Sequence, residues 1–202
     1  MSEGVRVDLF VEDRAHEELL KPLLVRVASE TAVSVDVRVR SARGGHAKAI
    51  QEFVGYQRLL EKGAFVGEPP DLIVVGIDGN CSTFAKKRAE IMDARNASLS
   101  ARLVAACPDP HVERWYMADP DSFFDVVGHR PSVGARKCER DHYKRLLTEA
   151  VRRGGYPPTL GGVEFAADLV AAMDLYRAGR SDHSLKAFLD DLRTELQRVR
   201  GT

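Results

Sequence analysis

The sequence carries no excess charge of either sign: 30 lysines and arginines balance 30 aspartates and glutamates over 202 residues. That balance excludes the simplest nucleic-acid binder, an overall basic chain that gains affinity by releasing counterions from phosphates. It leaves room for a local basic face. No run approaches the roughly 18 consecutive apolar residues of a membrane-spanning helix, so no membrane partner is expected. Met1–Arg6 mixes acid and base before a strand-like run, which is unlike a signal peptide. Cysteine is sparse. Cys81, Cys107 and Cys138 include no close pair and form neither a disulfide framework nor a zinc ribbon. Cys138 and His142, four apart, have no second ligand pair. These absences point to a soluble, cytoplasmic protein with reduced thiols. No G-x-x-x-x-G-K-[ST] loop exists to cradle a nucleotide, no G-x-S-x-G elbow presents a nucleophile, and His16-Glu17-Glu18 is not H-E-x-x-H. That last triplet is expected on a solvated helix face.

What is present is enough apolar sequence, 44% of residues, to build a sizeable core. Val5–Val11 reads as a buried strand. A helix follows it, with Ala15, Leu19, Leu20, Leu23, Leu24 and Val27 at three- and four-residue steps and Asp13 placed to cap it. Val33–Val39 alternates valine with polar residues, as on a sheet edge. Ser41–His46 is a turn, and Ala47–Glu61 a helix with Ile50, Phe53, Val54 and Leu60 inward. Leu72–Ile77 is the most apolar strand and is expected in the sheet centre. A helix over 83–97 and a fourth strand at Arg102–Cys107 complete a β-α-β-α-β-α-β order, the signature of a parallel-rich sheet with helices on both faces. After Pro110 only helical patterns remain, near 139–153, 162–179 and 184–200. The last carries Leu185, Phe188, Leu189, Leu192, Leu196 and Val199 on one stripe.

Ligands of open α/β sheets gather beyond the carboxyl ends of the strands. Glu12 follows the first strand and Asp78 the third, so a parallel sheet aims both into one crevice. Paired carboxylates there suit a hard divalent cation such as Mg²⁺. An acid after a strand also simply caps the next helix; that reading is preferred for Asp13. It is weaker for Asp78, because Gly79 follows and Ser82 or Thr83 can cap instead. A third cluster, His111 to Asp119, holds the single tryptophan with Glu113 and Asp119.

At these residues the chain resembles a family. FVEDRAHEELL resembles the opening glutamate motif of TOPRIM domains, the catalytic fold of topoisomerases, primases and OLD-type nucleases. IVVGIDGN is similar to their second, Asp-x-Asp motif. PDPHVERWYMADPDSF, with GGH at Gly44–His46, resembles small stand-alone bacterial TOPRIM-like proteins, many of them encoded beside ATPase genes in defence or mobile loci. The resemblance spans roughly residues 5–125. It implies a TOPRIM-like domain over 1–128, a mostly parallel four-stranded sheet flanked by helices, with a helical C-terminal extension over 129–202. It implies Mg²⁺ or Mn²⁺ held by Glu12, Asp78, Asn80, Glu113 and Asp119, with Glu12, Asp78 and Glu113 catalytic. Asn80 stands where the family has its second aspartate, and brings no charge. Lys48, Lys137 and Lys144 are candidate phosphate contacts. The implied activity is metal-dependent cleavage of DNA or RNA, with an ATPase protein as partner and a homodimer left open. The other reading is a weakened nucleic-acid-binding or sensor subunit.

Two other resemblances fail. A haloacid-dehalogenase phosphatase needs a nucleophilic aspartate two residues before Asp78, where Gly76 stands. GIDGN is similar to the phosphate loop of sugar-kinase-type ATPases, but there the loop follows the first strand, not the third. A basic stretch after the third cluster (Arg130, Arg136, Lys137, Arg140, Lys144, Arg145, Arg152, Arg153) is a candidate phosphate-tracking surface.

Overall fold

Leu72–Gly76 (β3) is buried along its whole length. In a computed structural model describing residues 4–41, 44–134, 136–139 and 141–201, it lies between Val5–Val11 (β1) and Arg102–Ala106 (β4), with Val35–Val39 (β2) beside β1 at the far edge. Every pairing is parallel; Val7 stands opposite both Val37 and Leu72, and Leu72 opposite Arg102. The central place of β3 and the edge place of β2, none of whose residues is buried, are those expected from their apolar and alternating patterns. Residues 42 and 43 of the expected turn, Arg140 and the first three residues lie outside the described residues.

Parallel neighbours need crossovers, and three helices supply them: Arg14–Glu30 (α1), His46–Glu61 (α2) and Phe84–Asp93 (α3). The two-residue period of the strands divides the core into two layers. Val7, Leu9, Val11, Leu72, Val74, Val104 and Ala106 face α1 and the later helices. Phe10, Ile73, Val75, Leu103 and Ala105 face α2 and α3, where Phe53, Tyr56 and Ile91 are buried. Of the four α2 residues expected inward only Phe53 is fully buried; Ala49, Tyr56 and Gln57 complete the face, rotated slightly from the expected stripe. A charge sits in this second layer. Asp8 is wholly buried, but Tyr56 donates to it and Arg38 and Arg40 approach within 2.8 and 3.2 Å, so the carboxylate is paired.

Beyond β4 the chain leaves the sheet as Val112–Tyr116 (α4), Pro120–Val127 (α5), His142–Arg153 (α6), a 3-10 turn at Val163–Phe165, then Ala166–Ala172 (α7), Leu175–Ser181 (α8) and His183–Arg200 (α9). The single helix expected over 162–179 is therefore broken. Asp174 breaks it, because its carboxylate accepts from Tyr176 N and Arg177 N and starts a new helix. Asp182 caps α9 in the same way. Leu185, Phe188, Leu189, Leu192 and Leu196 of α9 are buried in the layer that also holds α1, α4 and α6, so the helical segment and the sheet share one core. Among the described residues no helix is long and apolar enough to cross a membrane.

Candidate metal centre at the carboxyl edge of the sheet

Glu12 extends β1 by one rung, its N–H donating to Gly76 O at 3.1 Å, and this register turns its side chain toward the end of β3. There Glu12 Oε2 accepts from Asp78 N at 3.0 Å. Asp78 is buried and its two oxygens are held apart: Oδ1 accepts from Val112 N at 2.9 Å, and Oδ2 lies 2.8 Å from His111 Nδ1. The β3 and β4 ends meet closely at this point. Gly79 N donates to Pro108 O at 2.7 Å, and a Cβ on Gly79 would stand 2.8 Å from that same oxygen. Gly79→Ala should therefore force the two loops apart and cost about 1–3 kcal/mol, read from a urea denaturation midpoint.

The fold brings in a residue that the sequence reading placed in solvent. His16, in the first turn of α1, is wholly buried. Its Nδ1 lies 2.9 Å from Asp13 Oδ1, and its Nε2 lies 3.2 Å from Asp78 Oδ1 without the alignment of a hydrogen bond. The expectation of a solvated face was wrong because Asp13, as N-cap of α1, orients the first turn so that His16 points under the sheet edge rather than out. Only a test of three-dimensional proximity could have found it, since no zinc-protease spacing surrounds it. Ligand atoms of Glu12, His16 and Asp78 all lie within 4.8 Å of one another.

The other candidates separate. Glu113, on α4, is buried and lines a cavity of about 250 Å³ together with Asp13, Lys144, Leu160 and Gly161. Asn80 adopts a left-handed backbone, φ 52°, and its N–H donates to Pro110 O, so its structural part is a tight turn that asparagine tolerates well. Asp119 does not join the group. Its oxygens are taken by Arg177 Nη2 at 3.0 Å, Ser122 Oγ at 2.6 Å and Asp174 N at 2.8 Å, which tie α5 to α8. Asp119→Asn should leave divalent-ion affinity unchanged by calorimetry while lowering unfolding free energy by about 1–3 kcal/mol, the cost of disturbing buried donors. Lys48 is exposed beside Glu52, and Lys137 reaches Asp109 at 2.7 Å. The basic stretch is largely neutralised in place: Arg130 pairs with Asp121, Arg136 and Arg145 with Glu139, and Arg152 and Arg153 with Glu149. The expectation of reduced thiols is also corrected. Cys81 and Cys138, 57 residues apart, form a disulfide with Cα atoms 4.7 Å apart, and only Cys107 is free. Sequence spacing does not disclose this pair, because two separate loops fold together to make it.

The electrostatics follow from crowding. Burial alone would raise the pKa of Asp78, but His16 and His111 outweigh it and hold the carboxyl below its usual value. Burial likewise opposes ionisation of Asp13, yet His16 brings it down to about 2. Burial would lower His16; Asp78 and then Asp13 hold it well above an ordinary histidine. His111 is raised by its hydrogen bond to Asp78. Glu12 and Glu113 go the other way: burial first, then repulsion from Asp78, lifts both. Four carboxyl groups thus share two imidazoles, and two of the four lack a compensating cation.

A divalent ion fits this imbalance. The carboxylates of Glu12 and Asp78 supply hard oxygen ligands, and His16 Nε2 is a buried donor atom with no aligned hydrogen-bond partner. No family model, no curated protein and no solved structure matches the chain.

Proposed function

We propose that the chain is a divalent-metal-dependent phosphodiesterase of TOPRIM type that cleaves DNA or RNA, working as the effector of an anti-phage defence system with an ATPase partner. One observation carries the reading: Glu12 and Asp78 converge from β1 and β3 at the carboxyl edge, where open α/β sheets bind their ligands, and are joined by the Asp78 N to Glu12 Oε2 bond. The TOPRIM assignment rests on the motif order alone.

Glu12 and Asp78 would hold a divalent ion (Mg²⁺ or Mn²⁺), which would supply Lewis acidity to the phosphoryl group. The chain's own groups divide the remaining work. Asp78 stays ionised under its two imidazoles and anchors the centre. Glu12, with a raised pKa, would accept a proton from an attacking water, and Glu113, raised likewise, would return one to the departing oxygen. Lys144, which shares the cavity with Glu113, would neutralise phosphate charge.

Incubation of the purified protein with end-labelled single-stranded DNA, duplex DNA and RNA, with Mg²⁺, Mn²⁺ or EDTA, tests the reading. Cleavage with metal and none with EDTA is expected. If neither metal supports cleavage, with or without the ATPase, the reading as a nucleic-acid-binding or sensor subunit replaces it; Asn80 in the second motif is the feature that favours that alternative.

The pH dependence has a definite sign. A carboxyl whose folded pKa is raised loses stability as pH rises through that folded value, which is the case for Glu12 and Glu113. A bound cation offsets the loss. Addition of saturating divalent ion should therefore raise the melting temperature more at pH 7.5 than at pH 5, as read by differential scanning fluorimetry.

A further inference from the structure

We infer that His16, through Nε2, is the third protein ligand of the ion held by Glu12 and Asp78, and that the centre selects a first-row transition ion, Mn²⁺ or Zn²⁺, over Mg²⁺. The inference rests on the cation-site reading above and deepens it by assigning the class of ion. It does not depend on whether the chain cuts nucleic acid.

Three observations lead to it. First, the two nitrogens of His16 have different surroundings. Nδ1 lies 2.9 Å from the carboxylate of Asp13, while Nε2 is buried with no aligned hydrogen-bond partner. An imidazole whose Nδ1–H is given to a carboxylate is oriented to coordinate through Nε2, as metal-binding histidines commonly are, and the ion displaces the Nε2 proton to solvent as it binds. Second, Asp78 does not need a proton from His16 to be satisfied. Val112 N already serves Oδ1 and His111 Nδ1 serves Oδ2. The close approach of Nε2 to Oδ1, 3.2 Å without hydrogen-bond alignment, is a spacing that two ligands of one ion adopt. Third, the donors of Glu12, His16 and Asp78 lie within 4.8 Å of one another. Ligands about 2.1 Å from a common ion sit roughly 3–4 Å apart, so closing the set takes a shift of about 1–2 Å at most.

The donor chemistry then decides the ion. Mg²⁺ takes oxygen ligands and keeps its waters, whereas imidazole suits zinc and the later first-row ions; manganese, itself an ion of carboxylate sites, stands above Mg²⁺ here only in so far as it accepts one imidazole beside two carboxylates. The competing explanation is an imidazolium that merely ties Asp13 to Asp78, with no metal role for Nε2.

Metal-free protein titrated calorimetrically with MgCl₂, MnCl₂ and ZnCl₂ tests the selectivity. Electron spin-echo spectroscopy of the Mn²⁺ complex tests the bond, because a coordinated imidazole nitrogen imposes a modulation that a structural histidine does not. Mn²⁺ and Zn²⁺ should bind at least about tenfold more tightly than Mg²⁺. The nitrogen modulation should be present in the wild type and in His111→Asn, and absent in His16→Asn, with the Mn²⁺ preference lost. His111→Asn keeps the assignment decidable if His16→Asn does not fold. Equal affinity for Mg²⁺ and Mn²⁺, or a wild-type complex without nitrogen modulation, overturns the role of His16 while leaving the metal centre standing. Modulation that vanishes in His111→Asn overturns it too. No binding of any of the three ions overturns both this inference and the metal-dependent reading. Binding with the expected preference but no cleavage supports His16 and removes only the nuclease.

Discussion

Glu12→Gln should lower metal-dependent cleavage by more than about a hundredfold with the fold intact. Loss of a group that only supports a metal ligand typically costs 10- to 100-fold, and loss of a ligand itself costs more. Glutamine is the informative substitution. It retains an oxygen that accepts from Asp78 N, so the link between the ends of β1 and β3 survives while the charge and the basicity are lost. Asp78→Asn should abolish cleavage as well, but with a structural penalty. The two imidazoles that lean on Asp78 lose their common counter-charge, and wholly buried His16 is left with Asp13 alone. Breaking a buried charge pair from one side costs about 3–5 kcal/mol in unfavourable cases. Single-turnover cleavage rates alongside urea denaturation separate the two effects. A Glu12→Gln protein that cleaves at the wild-type rate would remove the carboxyl edge as the active centre.

The largest purely structural loss is expected at Trp115→Ala, about 3–5 kcal/mol, the range for truncating a buried large aromatic. Trp115 is wholly buried and stacks on Phe188 of α9 with ring centroids 5.4 Å apart. Its Nε1–H donates to Ser184 Oγ at 2.9 Å, and the same hydroxyl accepts from Asp109 N and reaches Asp182, the cap of α9. One side chain therefore clamps α4, the end of β4 and the start of α9 together. The clamp matters for chemistry, because α4 also carries Glu113 and begins with the Val112 N–H that holds Asp78. Trp115→Phe, which keeps a ring and loses only the Nε1–H, should lose less. Denaturant unfolding followed by circular dichroism measures both. A loss under about 1 kcal/mol for the alanine variant would mean that the helical layer is not anchored through this residue.

The charge balance of the chain also takes on a local meaning. Acids are concentrated at the end of the sheet, and the bases that offset them in the count are tied up one by one, Arg177 on Asp119 and Arg152 and Arg153 on Glu149 among them. Among the described residues, little of the basic stretch is free of an acid neighbour. The proposed activity would draw for phosphate contact on Lys144, and on Lys137 once it releases Asp109.

Some of this molecule was readable from residue order alone. Four strands, their parallel sense, the edge place of Val35–Val39, the central place of Leu72–Gly76 and the capping role of Asp13 all follow from apolar periodicity and short-range hydrogen bonding, which act within a few residues. Glu12 and Asp78 could be named as neighbours because a parallel sheet places every strand's carboxyl end on one side. The tertiary structure alone decided what depends on long-range packing and on direction. It turned His16 inward, drew His111 onto Asp78, diverted Asp119 to Arg177, and joined Cys81 to Cys138. A linear pattern records which residues are near one another along the chain. Whether a buried side chain meets a carboxylate, an arginine or a second sulfur is set by elements that lie tens of residues away.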